Sequence, residues 1–207
     1  MNRDSIKNTF VVSGLLCIVC SVLVSGAAVG LKQKQTRNKE LDQKKNILQV
    51  CGIEFTSDSI ATLFANNIQR RLVDLRTGEY VKVTENGNLT VDTYSLNKVL
   101  QTDATDLEID PAGLGGKREN HAVVFLYAKE NQVIIPIRGR GLWSTLFGYV
   151  ALNEDASTVS GITFFEHRET PGLGGEVDNP DWKAQWPNKA AIENSQVVIE
   201  VKKQGQV

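Results

Sequence analysis

The loop Glu169–Glu176, which reads Glu-Thr-Pro-Gly-Leu-Gly-Gly-Glu, holds the residues best suited to contact a ligand. Pro171 and Gly172 predict a type II turn, because proline fixes φ at the second turn position and glycine accepts a positive φ at the third. Gly174 and Gly175 have no Cβ, so their backbone can come very close to a flat or bulky group. The loop therefore predicts a contact surface, and an ordinary surface turn is the alternative interpretation.

Other kinds of chemistry find little support in the sequence. His121 and His167 are its only histidines, and we interpret both as polar groups at strand ends. Cys17 and Cys20 stand three residues apart in an apolar run, where packing explains them better than a metal or redox role. The sequence shows no zinc-ligand spacing, nucleophile elbow or paired-carboxylate pattern. It therefore predicts no catalytic residue and no metal site.

Charged and aromatic residues near the loop have two interpretations each. Glu169 and Glu176 either form a solvated rim, or hold backbone amides of the loop or contact a partner. Trp143 either packs in a core or forms an apolar wall, whereas Trp182 and Trp186 read mainly as core residues.

Composition places the chain among ordinary folded proteins. Of its 207 residues, 41% are hydrophobic and 23% are charged, and the net charge is -1. Nucleic-acid binding favours a basic face, which a near-neutral chain does not indicate, so we predict no nucleic-acid partner.

The N-terminal segment is apolar enough to cross a membrane. Thr9 to Leu31 are 23 residues without a charge, and about 20 apolar residues in a helix span a bilayer core. We predict a cytoplasmic tip and transmembrane helix over 1–31, with a cleaved signal peptide at Ser25-Gly26-Ala27 as the alternative. The basic residues that flank the helix slightly favour a cytoplasmic body by count.

The rest of the chain predicts a stalk and an α+β domain with a mostly antiparallel sheet. Residues 32–56 read as a stalk helix or linker, and residues 57–207 read as the domain. A helix is predicted from Asp58-Ser59 to Ile68, and 86–116 reads as an irregular connection. The predicted strands are His121–Tyr127, Gln132–Ile137, Trp143–Leu152, Val159–Phe165 and Val197–Val201.

Two further features refine the predicted sheet. Pro136 predicts an edge or a bulge in the second of these strands, because proline cannot donate a ladder hydrogen bond. The consecutive hairpins disfavour a parallel nucleotide-binding sheet.

Taken together, these stretches resemble the FMN-binding domain found in the C subunit of sodium-translocating NADH:quinone reductases. The resemblance rests on the Glu169–Glu176 loop with the following Asn179-Pro180-Asp181-Trp182, on 139–144, on 159–163, and on the apolar N-terminus that runs into Lys-Gln-Lys-Gln. These stretches follow the family's order along most of the chain. The flavin subunit of the related ion-translocating electron-transport complex is an alternative that the Gly175-Glu176 pair disfavours.

The resemblance implies a cofactor, partners and a location. The cofactor is FMN, and the protein relays electrons from and to neighbouring redox centres within a multi-subunit complex, without activity alone. Its partners are the other subunits and the lipid bilayer, and its main domain is periplasmic at the bacterial inner membrane, against the charge count. The implied cofactor-binding residues are Gly141, Leu142, Trp143, Thr170, Gly172, Leu173 and Gly174.

One family feature is absent from the sequence. The family carries a Ser-Gly-Ala-Thr motif near its C-terminus, and its threonine is esterified to the FMN phosphate. The sequence reaches Val207 without this motif, so the covalent attachment threonine is not present. We expect either a domain that is truncated at its C-terminus or a variant without the attachment residue. An anchored scaffold or binding domain without flavin is the corresponding alternative function.

Overall fold

The computed structural model describes residues 6–82 and 89–201 of the chain. These residues form two compact units, which divide between Asp42 and Gln43. In chain order the elements are α1 (Ile6–Val50), α2 (Ile60–Asn67), β1 (Ile68–Asp74), β2 (Tyr80–Val81), α3 (Leu96–Thr102), β3 (Ala104–Asp106), β4 (Lys117–Glu119), β5 (His121–Tyr127), β6 (Gln132–Arg140), β7 (Thr145–Leu152), β8 (Val159–Glu166), a 3₁₀ helix (Gly174–Asp178), α4 (Pro180–Lys183), β9 (Ile192–Glu193) and β10 (Gln196–Val197).

Helix α1 contains the apolar segment predicted to cross a membrane. By length and composition it is able to do so, and large apolar side chains such as Phe10, Leu15 and Leu23 are exposed along it. Such a surface suits lipid rather than water, because lipid tails carry no penalty for apolar contact. The helix continues without a break through the predicted stalk as far as Val50. The predicted boundaries at 31 and 56 stay predictions.

The second unit is built on one antiparallel sheet, as predicted. Its strand order is β2-β1-β5-β6-β7-β8, and every neighbouring pair is antiparallel. Together with α1, this arrangement confirms the predicted fold class of an N-terminal membrane-type helix followed by a mostly antiparallel domain. Two small sheets, β3 with β4 and β9 with β10, are added to it.

Both faces of the sheet are covered by apolar side chains. On one face, Phe125 contacts Phe64 of α2 and Tyr149 of β7 edge-on, with centroids 6.3 and 5.7 Å apart. On the other face, Trp182 packs against Phe164 at 6.2 Å. Side chains alternate across a strand, so β7 contributes to both layers. The final turns of α1 bury Ile47 and Leu48 completely.

Several local predictions need correction. The predicted helix end at Ile68 is wrong, because α2 ends at Asn67 and Ile68 begins β1. The connection predicted as irregular, 86–116, contains α3 and β3, although 86–88 lie outside the described residues. The predicted last strand is also displaced, because β10 covers Gln196–Val197 only. Trp143 precedes β7, which begins at Thr145.

Pro136 lies in a strand that is internal to the sheet, yet its position follows the predicted rule. Strand β6 pairs with β5 only from Gln132 to Ile134. Beyond Ile134, the β5 side of β6 has no strand partner among the described residues, and pairing continues with β7 alone. The missing N–H of proline therefore falls where one edge of the strand is open.

Candidate functional site

The loop after β8 forms the turn that its sequence predicts. The Leu173 N–H donates to the Thr170 carbonyl at 3.1 Å, and Gly172 has φ 76° at the third turn position. The chain then enters the 3₁₀ helix at Gly174, where the Gly175 N–H also donates to the Thr170 carbonyl, at 3.0 Å. Two loop amides are thereby tied to a single carbonyl. The loop presents Leu173, which is 72% exposed.

A second exposed corner joins β6 to β7. The Gly141 N–H donates to the Ser144 carbonyl at 2.8 Å, which closes the hairpin loop. The two residues at its tip, Leu142 and Trp143, are 82% and 68% exposed. Trp143 is therefore not a core residue, and large apolar groups held out in this way mark contact surfaces when they cluster.

The Glu169 carboxylate connects the corner to the loop. It accepts the backbone N–H groups of Trp143 and Ser144, each at 3.1 Å, and that of Leu142 at 3.2 Å. Three successive amides that converge on one anion form a nest, the backbone arrangement that binds carboxylates and phosphates. Glu169 is buried, so it is not the solvated rim residue of one interpretation. Glu169 does hold backbone amides, but those of the corner between β6 and β7 and not those of its own loop.

The surroundings of Glu169 favour its ionised form. Burial alone would raise the pKa of this carboxyl, but the amides of Trp143, Ser144 and Leu142 outweigh that effect and lower the pKa. A Cβ at Gly174 would lie 2.8 Å from one carboxylate oxygen, and a Cβ at Gly141 would overlap the other. Both positions require glycine because Glu169 occupies the space.

Residues beside Glu169 fix the end of β8. The Glu169 N–H donates to His167 Nδ1 at 3.2 Å, and His167 Nε2 lies 2.8 Å from an Asp178 carboxylate oxygen. Because Nδ1 accepts, the ring proton is assigned to Nε2, which donates to Asp178. The Arg168 N–H donates to Ser144 Oγ at 2.8 Å. Two side chains thus attach this strand end to its neighbours.

The loop and the corner enclose a shallow apolar pocket of about 390 Å³. Six of the seven residues implied by the resemblance line it. Gly172 is not among the lining residues. Leu146 and Val177 also line the pocket, although neither is among the residues predicted from the sequence. The lining residues are Gly141, Leu142, Trp143, Leu146, Glu169, Thr170, Leu173, Gly174 and Val177.

A second glycine-rich segment near the corner is closed on its own carboxylate. The Asp110 side chain accepts the N–H groups of Gly115 and Gly116, both at 2.8 Å. The hydrogen bond from the Gly116 amide is the largest effect on the pKa of Asp110, and the pKa is lowered although burial alone would raise it. These amides are already used, so they are not available to a phosphate.

The other titratable clusters serve structural roles. Buried His121, the first residue of β5, places Nδ1 2.5 Å from an Asp103 carboxylate oxygen. Its Nε2 lies 3.7 Å from Asp74, which pairs with Arg76 at 2.7 Å. Within 6–82 and 89–201, no group of three His, Cys, Asp or Glu residues is arranged to hold a metal ion.

Comparison with known proteins identifies the family. The FMN-binding domain model matches residues 141–206, which include the corner and the loop. The C subunit of the Na(+)-translocating NADH-quinone reductase from Vibrio parahaemolyticus is 43% identical over 99% of this chain and 80% of its own length. The same subunit from Yersinia pestis is 40% identical over 93% of this chain and 74% of its own length.

Solved structures agree with this assignment. NqrC of Shewanella oneidensis matches with a TM-score of 0.67 and 26% identity, over 81% of each chain. The corresponding protein from Parabacteroides distasonis has the same fold, with a TM-score of 0.59 at 22% identity over 81% of this chain and 73% of that chain. The chain belongs to the NqrC family, the C subunits of Na(+)-translocating NADH-quinone reductases.

Proposed function

We propose that this chain is the FMN-carrying, membrane-anchored subunit of a Na⁺-translocating NADH:quinone oxidoreductase. The supporting observation is 43% sequence identity to an NADH-quinone reductase C subunit over 99% of the chain. An FMN-binding domain match at 141–206 and a helix able to cross a membrane agree with it. When bound, FMN supplies reversible electron transfer, while the protein binds, orients and shields it. The chain acts as a subunit and not as an independent enzyme.

The apolar pocket fits the ring system of FMN. A flavin ring is flat and largely apolar, and ligand sites of this kind occupy about 300–1,000 Å³. The pocket of about 390 Å³ meets this requirement, and its walls carry the exposed side chains of Leu142, Trp143 and Leu173. Within the described ranges, the Thr170 hydroxyl has no protein partner, so it is available to a polar ring atom. These features support placing the isoalloxazine between the corner and the loop.

The same residues argue against a phosphate site at the corner. The amide nest of Leu142, Trp143 and Ser144 is filled by the Glu169 carboxylate, and a second anion there would be repelled. In this proposal the corner and the loop hold the ring, and the phosphate lies outside the nest. Glu169 acts by positioning the two walls, since its buried carboxylate holds the corner amides.

Partners and orientation extend the proposal. The chain would contact the other subunits of the complex and the bilayer, and exchange electrons with redox centres on its neighbours. We place the main domain on the periplasmic side of the bacterial inner membrane, in keeping with the resemblance and against the slight bias of flanking charges. Protease treatment of spheroplasts tests this orientation: the domain should be degraded in intact spheroplasts, and its protection would contradict the periplasmic placement.

Flavin content of the purified complex tests the site. A Leu173→Asp variant places a charge on the apolar wall and should lose most of the flavin assigned to this subunit. Val197→Asp is the matched control, because Val197 is 77% exposed and lies outside the pocket. Equal flavin content in the two variants, with equal amounts of each variant assembled into the complex, would contradict the proposed ring position.

A further inference from the structure

A second cavity lies on the sheet face opposite Trp182, away from the flavin pocket. Its volume is about 240 Å³, and it shares no lining residue with the pocket between the corner and the loop. It is formed by β1, β4–β8, α3 with the segment before it, and the end of α1, all within the second unit. It opens where β6 separates from β5 beyond Ile134, so Pro136 and Arg138 line it instead of strand pairing.

Aromatic side chains form the flat walls of this cavity. Tyr149 stacks on Phe165 with centroids 5.0 Å apart, and Phe125 meets Tyr149 edge-on at 5.7 Å. The ring centroids of Phe147 and Phe165 are 6.4 Å apart. Adjacent ring faces of this kind favour a planar guest, because stacked or edge-to-face rings attract each other beyond simple area burial.

One end of the cavity is polar and carries two arginines, of which Arg70 pairs with the exposed Asp92 at 3.2 Å. Arg138 forms an ion pair with Glu119, and each side chain is only 14% exposed. In the described part of the chain, this pair gives the Arg138 guanidinium its one protein hydrogen bond, out of five N–H donors. The other carboxylate oxygen of Glu119 likewise has no protein partner there. The pair therefore offers a free donor and a free acceptor side by side.

Tyr94 supplies a further donor at the same end. Its hydroxyl has no protein partner in the described ranges, and it lines the cavity beside Glu119. Burial and the negative charge of Glu119 raise the pKa of Tyr94 to about 12, so the hydroxyl keeps its proton. Tyr94, Glu119 and Arg138 are only partly buried, so solvent can reach their unpaired atoms, and a ligand would replace that solvent with direct hydrogen bonds.

We propose that this cavity is a binding site for a small neutral planar ring whose edge carries a carbonyl oxygen and an N–H group, as in an aromatic amide. The carbonyl would accept from Arg138 and Tyr94, and the N–H would donate to Glu119. A charged ring is disfavoured, because both arginines that line the cavity are already paired with carboxylates, and a net charge would find no further counterion.

The volume limits the size of this ligand. A cavity of about 150 Å³ holds benzene, so about 240 Å³ accommodates one substituted ring or two fused rings. The three fused rings of a flavin exceed this space. The inference is therefore independent of the flavin site, and neither proposal depends on the other.

Binding of benzamide to the full chain in detergent micelles tests the proposal, with backbone amide NMR shifts as the readout. We expect saturable shifts at Tyr94, Glu119 and Arg138, and none at Leu142 or Leu173. Tyr94→Phe should weaken binding about 5-fold, the effect of one hydrogen bond of about 1 kcal/mol. Arg138→Lys keeps the charge but loses the planar donors, and should weaken binding about 10-fold.

Two controls make the result decisive. Tyr80→Phe removes a hydroxyl from an exposed tyrosine outside the cavity and should leave the affinity unchanged. Benzoate, which has the same ring with a charged edge, should bind at least about 10-fold more weakly. No saturable shift, equal binding of benzoate, or wild-type affinity in a folded Tyr94→Phe variant would overturn the proposal. If Arg138→Lys fails to fold, the Tyr94→Phe result decides.

Discussion

The Glu169 carboxylate accepts the backbone N–H of Trp143 at 3.1 Å, across 26 positions of sequence. This bond, with those to Leu142 and Ser144, sets the corner against the loop that follows β8. The wall of the candidate flavin pocket is therefore positioned by a buried acidic side chain. Its exposed aromatic and aliphatic groups contribute contact area but do not hold the geometry.

Replacing Glu169 with glutamine should loosen the corner. The side-chain amide offers one neutral oxygen to three N–H donors, and its NH₂ group faces donors rather than acceptors. We expect hydrogen exchange at Leu142, Trp143 and Ser144 to accelerate about 10-fold or more, and Tm to fall by roughly 5 °C. Glu176→Gln is the control, since Glu176 is exposed and its side chain bonds only to the nearby Asn179 among the described residues. Equal exchange rates in both variants would show that Glu169 does not hold the corner.

Stability should rise with pH across the acidic range. The pKa values of Glu169, Asp110, Asp155 and Asp74 are all lowered in the folded chain, so the unfolded state binds more protons between about pH 2 and pH 5. The free energy of unfolding therefore increases with pH in this window, and this stabilisation is lost as pH falls through it. Urea unfolding at several pH values measures the slope, and Asp110→Asn should reduce it. A flat profile below pH 5 would contradict this account.

Gly141 should not tolerate a side chain, although its φ is ordinary. A Cβ there would overlap Glu169 and Leu146, so Gly141→Ala should destabilise the second unit by about 1–3 kcal/mol. Gly139→Ala, two residues earlier in β6, meets nothing within 4 Å and should have little effect. Chemical denaturation of both variants gives the comparison, and equal stabilities would mean that the space beside Gly141 is not occupied.

Tryptophan substitutions should separate binding from folding. Trp143 is 68% exposed, so Trp143→Ala should change stability by less than about 0.5 kcal/mol while lowering flavin retention. Trp186 packs on the core cluster of Leu152, Val159 and Ala191, so Trp186→Ala should cost about 2–4 kcal/mol. Thermal unfolding and flavin absorbance distinguish the two effects. A large loss of stability in Trp143→Ala would place that ring in the core instead.

Cys51 should resist thiol reagents until the chain unfolds. It is buried, and burial raises the pKa of its thiol to about 12, so the reactive thiolate is scarce at neutral pH. In a variant with Cys17 and Cys20 replaced by alanine, labelling by a disulfide reagent should be slow in buffer and fast in urea. Rapid labelling of the folded chain would contradict the buried position.

Features encoded locally were predictable from sequence. The Pro171-Gly172 turn follows from two adjacent residues, and the hairpin of β5 and β6 follows from two apolar runs around a polar link. Helix α3 was missed because seven residues with a single buried position, Val99, give too few turns for a periodic pattern. Such short elements are defined by tertiary contacts.

In the candidate site, too, contacts between distant parts of the sequence could not be predicted. The exposed residues of the loop are predictable from their types, but both interpretations of Glu169 stayed open because its three partners lie 25–27 residues away. Leu146 was missed because it lies in β7, far from the loop in sequence, and Val177 was missed although it directly follows Glu176, because a single valine carries no signal of a ligand site. Long-range pairing of a carboxylate with backbone amides leaves no periodic trace.

Carboxylates of the chain itself accept the backbone amides of two segments: Asp110 accepts those of Gly115 and Gly116, and Glu169 accepts those of the corner between β6 and β7. The backbone of both segments is therefore held in place by contacts within the chain, without a bound cofactor. Such preorganisation spares the entropy of ordering a loop on binding, so more of the contact energy of the apolar wall remains as affinity. It also means that the corner can already be in place when flavin is loaded after chain synthesis and membrane insertion.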